Sequence, residues 1–268
     1  MNVGERAVLD RERSSLDRTL ESIRTTLNRS AVPVQLPIGE ERDFRGVVDL
    51  VSMKAHTFGA DGKVTTGEIP DAMTDRATQA RNTLIEMVAE ADEALMDAFF
   101  SNGTLTQEQL ASGLRAATAA GTIFPLVCTS GLKVIGAQPL LDAIVAPVPS
   151  PADRGFPTVD ADGNPASVAA SDSGPYAAFV WKTIADPFAG RITMLRIVSG
   201  TLKSDTAYHN QTRDTSERLG HLLALQGKTQ THVPELRAGD LGAVAKLKDT
   251  HTSDLLAEAS TKIKVAAI

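Results

Sequence analysis

The chain of 268 residues is poor in cysteine and in rings: Cys128 is the only cysteine, there is one tryptophan and two tyrosines, and aromatic residues make up 4%. A single cysteine excludes an internal disulfide and any zinc site built on cysteine pairs. It also agrees with a reducing, cytoplasmic compartment. With so few rings, the core must rest on Ala, Leu, Val and Ile. No apolar run approaches the ~18 residues of a membrane-spanning helix, so no membrane partner is expected. The opening Met1-Asn2-Val3-Gly4-Glu5-Arg6 is charged and is not a secretory leader. The five histidines, His56, His209, His221, His232 and His251, show no i,i+3 or i,i+4 pairing, and no carboxylates cluster beside them, so no metal site is expected. The stretch Cys-Thr-Ser-Gly at 128–131 is not the Gly-x-Ser-x-Gly elbow of a hydrolase. Cys128 ends the apolar run 123–128, where a buried and inert thiol is expected. No catalytic residue is assigned.

What is present is an ordinary globular composition, 42% apolar and 22% charged, with length for about two domains. The net charge of −6 is unevenly placed. Residues 1–150 hold 14 Lys/Arg against 20 Asp/Glu, whereas residues 174–257 hold 10 against 8. Such an asymmetry is compatible with one face meeting protein and another meeting RNA, and equally with plain solvated surface.

Periodicity changes along the chain. Leu9, Leu16, Leu20, Ile23 and Leu27 fall on one helical face. The alternation from Val32 to Ile38 reads as a strand. The β-rich segment 46–58 is followed by Asp61-Gly62, a hairpin signal, which suggests a small sheet over about 32–66. After Pro70 an apolar stripe through Met73, Ala77, Leu84, Met87, Leu95 and Phe99 predicts two helices dividing near Asp92. Thr106 and Gln109 stand at capping-box spacing, and Gly121 suits the helix end. Residues 123–128 read as a buried strand, and 136–148 as a helix with Pro139 in its first turn. The stretch 148–174 carries Pro, Gly, Ser, Asp and Ala with almost no large apolar residue and reads as a linker. Beyond it the period becomes two, and about five short strands predict a small closed barrel.

Gly227-Lys228-Thr229 has the letters that end a phosphate-binding loop. The full loop needs a glycine five residues before that Gly, and the position holds Leu222. It also needs a following helix, yet Pro234 comes five residues after Thr229. Leu219, His221, Leu223 and Leu225 alternate as a strand, so the triplet is expected to be a polar hairpin turn. Asp43-Phe44-Arg45-Gly46 matches an Asp-x-x-Gly switch, but no phosphate loop precedes it and a turn into a strand is the simpler expectation.

Three segments, in order, resemble bacterial translation elongation factor G. Residues 10–55 resemble the part of its GTPase domain just after the guanine-recognition motif, running into the inserted subdomain. Residues 125–151 resemble the last strand and helix of that domain. The third segment covers Ala185-Asp186-Pro187-Phe188-Ala189-Gly190-Arg191-Ile192, the hairpin signature Ser199-Gly200-Thr201-Leu202-Lys203, Arg237-Ala238-Gly239-Asp240 and the run up to Leu256. It resembles the second, β-barrel domain. Ser204-Asp205, where the family often has Ser-Gly-Asp, is more like a divergent elongation factor G-like paralogue.

The resemblance implies an incomplete α/β (α+β) GTPase-domain portion at 1–150, with the inserted subdomain at about 32–122. It implies a linker at 151–173, an all-β translation-factor barrel at 174–257 and a stub at 258–268. The family's Asn-Lys-x-Asp aligns with Ala7-Val8-Leu9-Asp10, where only Asp10 is kept, as the acceptor for guanine N1 and N2. The loop Ser130-Gly131-Leu132 would set its amides near guanine O6. The phosphate loop and both switches are expected upstream of Met1, and residues 1–8 do not match the family. GTP and Mg²⁺ would belong to the parent protein, with no cofactor held by this chain. Without phosphate contacts most of the nucleotide affinity is lost, so no GTP hydrolysis by this chain is expected. The barrel would dock on small-subunit ribosomal RNA, with Arg191, Lys203, Arg213, Arg218, Lys228, Lys246 and Lys248 as candidates. The acidic inserted subdomain would meet large-subunit stalk proteins. The alternatives are a self-standing, non-enzymatic ribosome- or RNA-binding module, a release-factor or ribosome-protection relative, and an unrelated scaffold.

Overall fold

One extended stretch feeds two different sheets. In the computed structural model, which describes residues 11–59, 62–160, 162–186, 190–227, 229–261 and 264–265, the chain divides into two units, Met1–Pro149 and Ser150–Ile268.

In the first unit, helix α1 (Leu16–Thr26) leads to β1 (Ala31–Pro33) and β2 (Gln35–Ile38). The sequence reads Val32–Ile38 as one strand, but the two halves part at Val34. Its amide donates to the Leu126 carbonyl at 3.0 Å, and its own carbonyl accepts from the Leu50 amide at 3.0 Å. Strand β2 continues into an antiparallel sheet with β3 (Gly46–Asp49), β4 (Lys54–Phe58) and β5 (Val64–Gly67), in the order β2-β3-β4-β5. Pro37 is tolerated because β2 is an edge strand. Asp43-Phe44-Arg45-Gly46 is a turn into β3: a 3-10 turn spans Glu41–Asp43, and Phe44 is buried. The Asp49 carboxylate accepts from the Val51 and Ser52 amides and shapes the β3–β4 connection.

Helices α2 (Thr74–Ala89), α3 (Glu93–Asn102) and α4 (Gln107–Ala120) follow. Asp92 separates the first two, its carboxylate accepting from the Leu95 amide at 3.0 Å. Thr106 and Gln109 form the reciprocal capping box. Leu84, Ile85, Val88, Leu110 and Leu114 share one core with Val47, Val48 and Leu50. Then come β6 (Phe124–Leu126), parallel to β1, and α5 (Ala137–Val145).

The expected burial fails in two places. In α1 only Leu16 is buried; Leu20 and Ile23 are half-buried, Leu27 is 66% exposed, and Leu9 lies outside the described residues. Phe124 of β6 is 42% exposed, because among the described residues β6 pairs with β1 alone.

The second unit opens where a linker is expected, at 151–173. The structure instead has a hairpin, β7 (Phe156–Val159) and β8 (Pro165–Val168). The turn-forming residues sit at its tip, where Asp160 Oδ1 accepts from the Asp162 and Asn164 amides at 2.9 Å. Phe156 and Val168 pack against Ala177, Val198 and Ala257. The two apolar residues that anchor the hairpin are thus few but well placed, and composition alone hides them.

The barrel strands are β9 (Ala177–Asp186), β10 (Gly190–Ser199), β11 (Thr201–Lys203), β12 (Ala207–Asn210), β13 (Thr215–Arg218), β14 (Leu222–Gln226), β15 (Thr229–Val233), β16 (Glu235–Arg237), β17 (Leu241–Ala245) and β18 (Leu255–Ala257). Eight of them form one antiparallel sheet, β13-β12-β18-β9-β10-β17-β14-β15, and β11 pairs with β16. Val180, Leu195, Tyr208, Leu222, Val244 and Leu256 meet in one core, which joins β12 and β18 from one half of the sheet to β14 and β17 from the other. Gly200 turns β10 into β11 with φ +69°, and a Cβ there would lie 2.5 Å from Tyr176 Cα. The expected stub at 258–268 contributes β19 (Lys264–Val265), which pairs back onto β7.

Candidate functional site

Gly227 stands at the tip of the β14–β15 hairpin with φ +58°, and Gln226 pairs with Thr229 across it. The Gly-Lys-Thr triplet is therefore a hairpin turn; Lys228 itself lies outside the described residues.

The other candidate nucleotide contacts centre on residues 130–135. Ser130 is buried, and its amide donates to the Ile135 carbonyl at 2.8 Å, closing a short loop. The Ser130 hydroxyl accepts from the Lys133 amide at 3.1 Å, which fixes the inner side of the turn. Gly131 and Leu132 project at the tip, Leu132 being 86% exposed. Among the described residues their amides have no protein acceptor. Gly136, with φ +77°, leads into α5; a Cβ there would lie 2.4 Å from the Cys128 carbonyl oxygen, so the loop needs glycine. Asp10 lies outside the described residues. Backbone donors are present at the exposed loop tip. No phosphate-cradling loop exists in the sequence, and no group of three His, Cys, Asp or Glu among the described residues could hold a metal ion.

Cys128 precedes this loop and is buried against Gln35. Its amide donates to Gln35 Oε1 at 3.2 Å. Burial pushes the thiol up to about 12, against a smaller downward pull from Arg76 and a slight upward push from Glu40. It is a structural thiol.

The basic candidates of the barrel fall into two groups. Arg191 is half-buried, and its guanidinium donates to the Leu247 carbonyl, from Nε at 3.0 Å, and to that of Lys248. Arg213 donates from Nε to Asp254 Oδ2 at 2.8 Å, and Asp254 is buried. Both are tied into the fold. Lys203, Arg218, Lys246 and Lys248 are exposed, and their side chains make no ion pair among the described residues. The backbone around Lys248 is held by Glu217, which accepts from the Lys248 and Asp249 amides and from the Thr250 and Tyr208 hydroxyls. Burial pushes the Glu217 carboxyl up, but these hydrogen bonds outweigh it and hold it below the usual 4.5.

Arg218 and Lys246 share a groove of about 550 Å³ on the outer face of the barrel. His221 and His232 line it too, their rings 5.0 Å apart and edge to face, together with Gln230. The two histidines are eleven positions apart and carry no helical pairing signal. The hairpin register reveals them: Leu223 faces His232 across β14 and β15, so His221 is its diagonal neighbour.

Comparison with known proteins places this architecture. A profile for elongation factor G domain 2 matches residues 175–259. A crystal structure of a protein from Thermus thermophilus matches with a TM-score of 0.75 at 28% identity, covering 92% of this chain. The chain spans 34% of the length of that protein. No helix among the described residues is long and apolar enough to cross a membrane. Residues 175–259 thus match the elongation factor G domain 2 family, and a mixed α/β portion precedes that barrel in the chain.

Proposed function

We propose that this chain serves an elongation factor G-like translational GTPase on the ribosome, supplying the docking barrel and part of the guanine side of a nucleotide pocket. The observation that carries this reading is the elongation factor G domain 2 match over the barrel, joined to exposed cations that make no ion pair among the described residues. The barrel docks on small-subunit RNA through backbone phosphates, a task that needs exposed positive groups rather than base-reading side chains. Lys203, Arg218, Lys246 and Lys248 meet that need. Arg191 and Arg213 act indirectly, by holding the 247–254 segment in place. The acidic inserted subdomain meets the large-subunit stalk proteins. The loop tip at Gly131 and Leu132 offers its amides to guanine O6, with Asp10 as the acceptor on the other edge.

Upstream GTPase-domain structure in the parent protein would cover the apolar face formed by Leu141, Ile144 and Val145, which are exposed in α5. The phosphates and Mg²⁺ would be held by that upstream part, so this chain alone cleaves no GTP.

Co-sedimentation with small ribosomal subunits tests the docking. The 268-residue chain should pellet with subunits at low salt and be released as salt rises, because phosphate contacts exchange with counterions. Absence of co-sedimentation at low salt would refute the docking. Single-turnover GTP cleavage above the buffer rate would refute the division of labour.

A further inference from the structure

The basic groove has a feature that plain surface charge does not require. Its outer-face position follows from the register: His232 lies opposite Leu223, and Gln230 opposite Leu225. Leu223 packs with Ile192 and Ala243, apart from the main barrel core. The groove therefore has an apolar floor beneath a rim of donors. Arg218 is the last residue of β13, Lys246 directly follows β17, His221 directly precedes β14, and Gln230 and His232 lie in β15. Among the described residues no carboxylate lines it. At the margin, Asp205 Oδ2 lies 3.8 Å from His221 Nδ1.

Lys246 holds a left-handed backbone, φ +67°, with its amide donating to the Arg191 carbonyl at 2.8 Å. That conformation is unfavourable for a residue with a Cβ. It is kept here by the same Arg191 that fastens the carbonyl of Leu247. The rim lysine is thus positioned by the fold and not left to wander.

We propose that this groove is the seat for an RNA backbone phosphate, with His221 and His232 acting as a protonation-dependent clamp on it. The inference rests on the RNA-docking reading above and deepens it. Arg218 and Lys246 supply permanent charge, and Gln230 adds an uncharged amide. Imidazole gains charge between about pH 8 and pH 5, so the clamp closes on the anion as the pH falls. The rings are 5.0 Å apart and edge to face, so both reach a phosphate from the same side, and each ring that carries a proton donates a charge-assisted hydrogen bond to it. Asp205 faces His221, and Arg218 and Lys246 face the pair from the ends of β13 and β17.

The test is fluorescence anisotropy of a labelled RNA duplex with the full chain, at about pH 6 and about pH 8, over about 50–200 mM salt. Wild type should bind about three- to tenfold tighter at the lower pH, beyond what variants lacking the pair show. His221→Gln with His232→Gln should flatten that ratio and leave most of the affinity at the higher pH. Arg218→Gln with Lys246→Asn should lower the salt slope by about two; asparagine is chosen because it tolerates the left-handed backbone. Lys203→Gln, outside the groove, should leave the pH ratio unchanged.

If the histidine double variant keeps the wild-type ratio while circular dichroism shows it folded, the clamp is refuted. If RNA binds but the Arg218/Lys246 variant keeps the full salt slope, docking survives and the groove assignment falls. If RNA does not bind at either pH, the docking reading falls with it. Binding of polyglutamate through these residues, with no RNA binding, would make the partner an acidic protein and also overturn the proposal.

Discussion

Replacing Asp254 tests whether the barrel's basic residues divide as the structure shows. Asp254 is 2% exposed, and a single oxygen, Oδ2, accepts from Asn210 Nδ2, Arg213 Nε and the His251 amide, each at 2.8 Å. Asn210 is itself buried, its Oδ1 occupied by the Thr212 and Arg213 amides. Asp254→Ala removes all three acceptor contacts. Arg213, with 44% of its side chain exposed, can turn to water, but the Asn210 amide group cannot. Orphaning the buried Asn210 donor costs about 1–3 kcal/mol, and with the part-buried His251 amide and the lost charge-assisted contact the total is about 3–5 kcal/mol. For a unit of this size that corresponds to a drop of about 10–20 °C in Tm. Asp254→Asn keeps one acceptor oxygen and should lose about 1–2 kcal/mol. Arg213→Gln breaks only a partly solvated pair and should cost about 1 kcal/mol or less. Thermal melts followed by circular dichroism give the order Asp254→Ala, then Asp254→Asn, then Arg213→Gln. If Asp254→Ala melts within about 3 °C of wild type, the network is not the support assigned to it. If Arg213→Gln equals Asp254→Ala, the donor count is wrong.

Three further perturbations follow from single residues. Glu217 is held below the usual 4.5, so its stabilisation is complete above that pH and is lost as the pH falls through the lower folded value. Urea midpoints should drop in that acid window for wild type and less for Glu217→Gln; equal acid slopes would contradict the assignment. Cys128, pushed up to about 12 by burial, should resist iodoacetamide in the native chain and react on unfolding. Native labelling at the rate of a free thiol would count against its burial. Gly200→Ala combines φ +69° with a Cβ 2.5 Å from Tyr176 Cα, and should cost about 2 kcal/mol or more, read as a lower urea midpoint. An unchanged midpoint would show that the β10–β11 turn relaxes freely.

Local chemistry carried most of the legible structure. The Thr106/Gln109 box, the Asp92 break and the glycine ends of α3 and α4 each depend on residues within one turn, and sequence spacing shows them directly. The same holds for the Gly227 hairpin, where flanking alternation outweighs a three-letter match. What stayed hidden depends on distant partners. The split at Val34 is made by Leu126 and Leu50, neither of which is its neighbour in sequence. The hairpin at 156–168 contributes few apolar anchors, Phe156 and Val168, so a composition rich in turn formers reads as linker. Arg191 and Arg213 look like free cations until Leu247 and Asp254 are placed beside them. The histidine pair at 221 and 232 is invisible to helical spacing and emerges only from cross-strand register.

The two places in this chain that invite a nucleotide reading differ in what their backbone has to give. A loop recognises a phosphate or a guanine carbonyl by amides that no protein acceptor already occupies. At Gly227 the letters match, but the residues on either side, Gln226 and Thr229, are paired in the ladder. At Ser130 the letters match no phosphate loop, yet the bridge to Ile135 ties down the base of the turn and leaves Gly131 and Leu132 at an exposed tip. The geometry therefore ranks the two sites in the reverse order of their motif strength. The same test separates the barrel's cations: Arg191 already meets the Leu247 carbonyl, whereas Arg218 and Lys246 face an open groove. In both cases the candidate for binding is the donor that the fold has left unanswered, and the residue that looks right by letter alone belongs to the scaffold that holds it there.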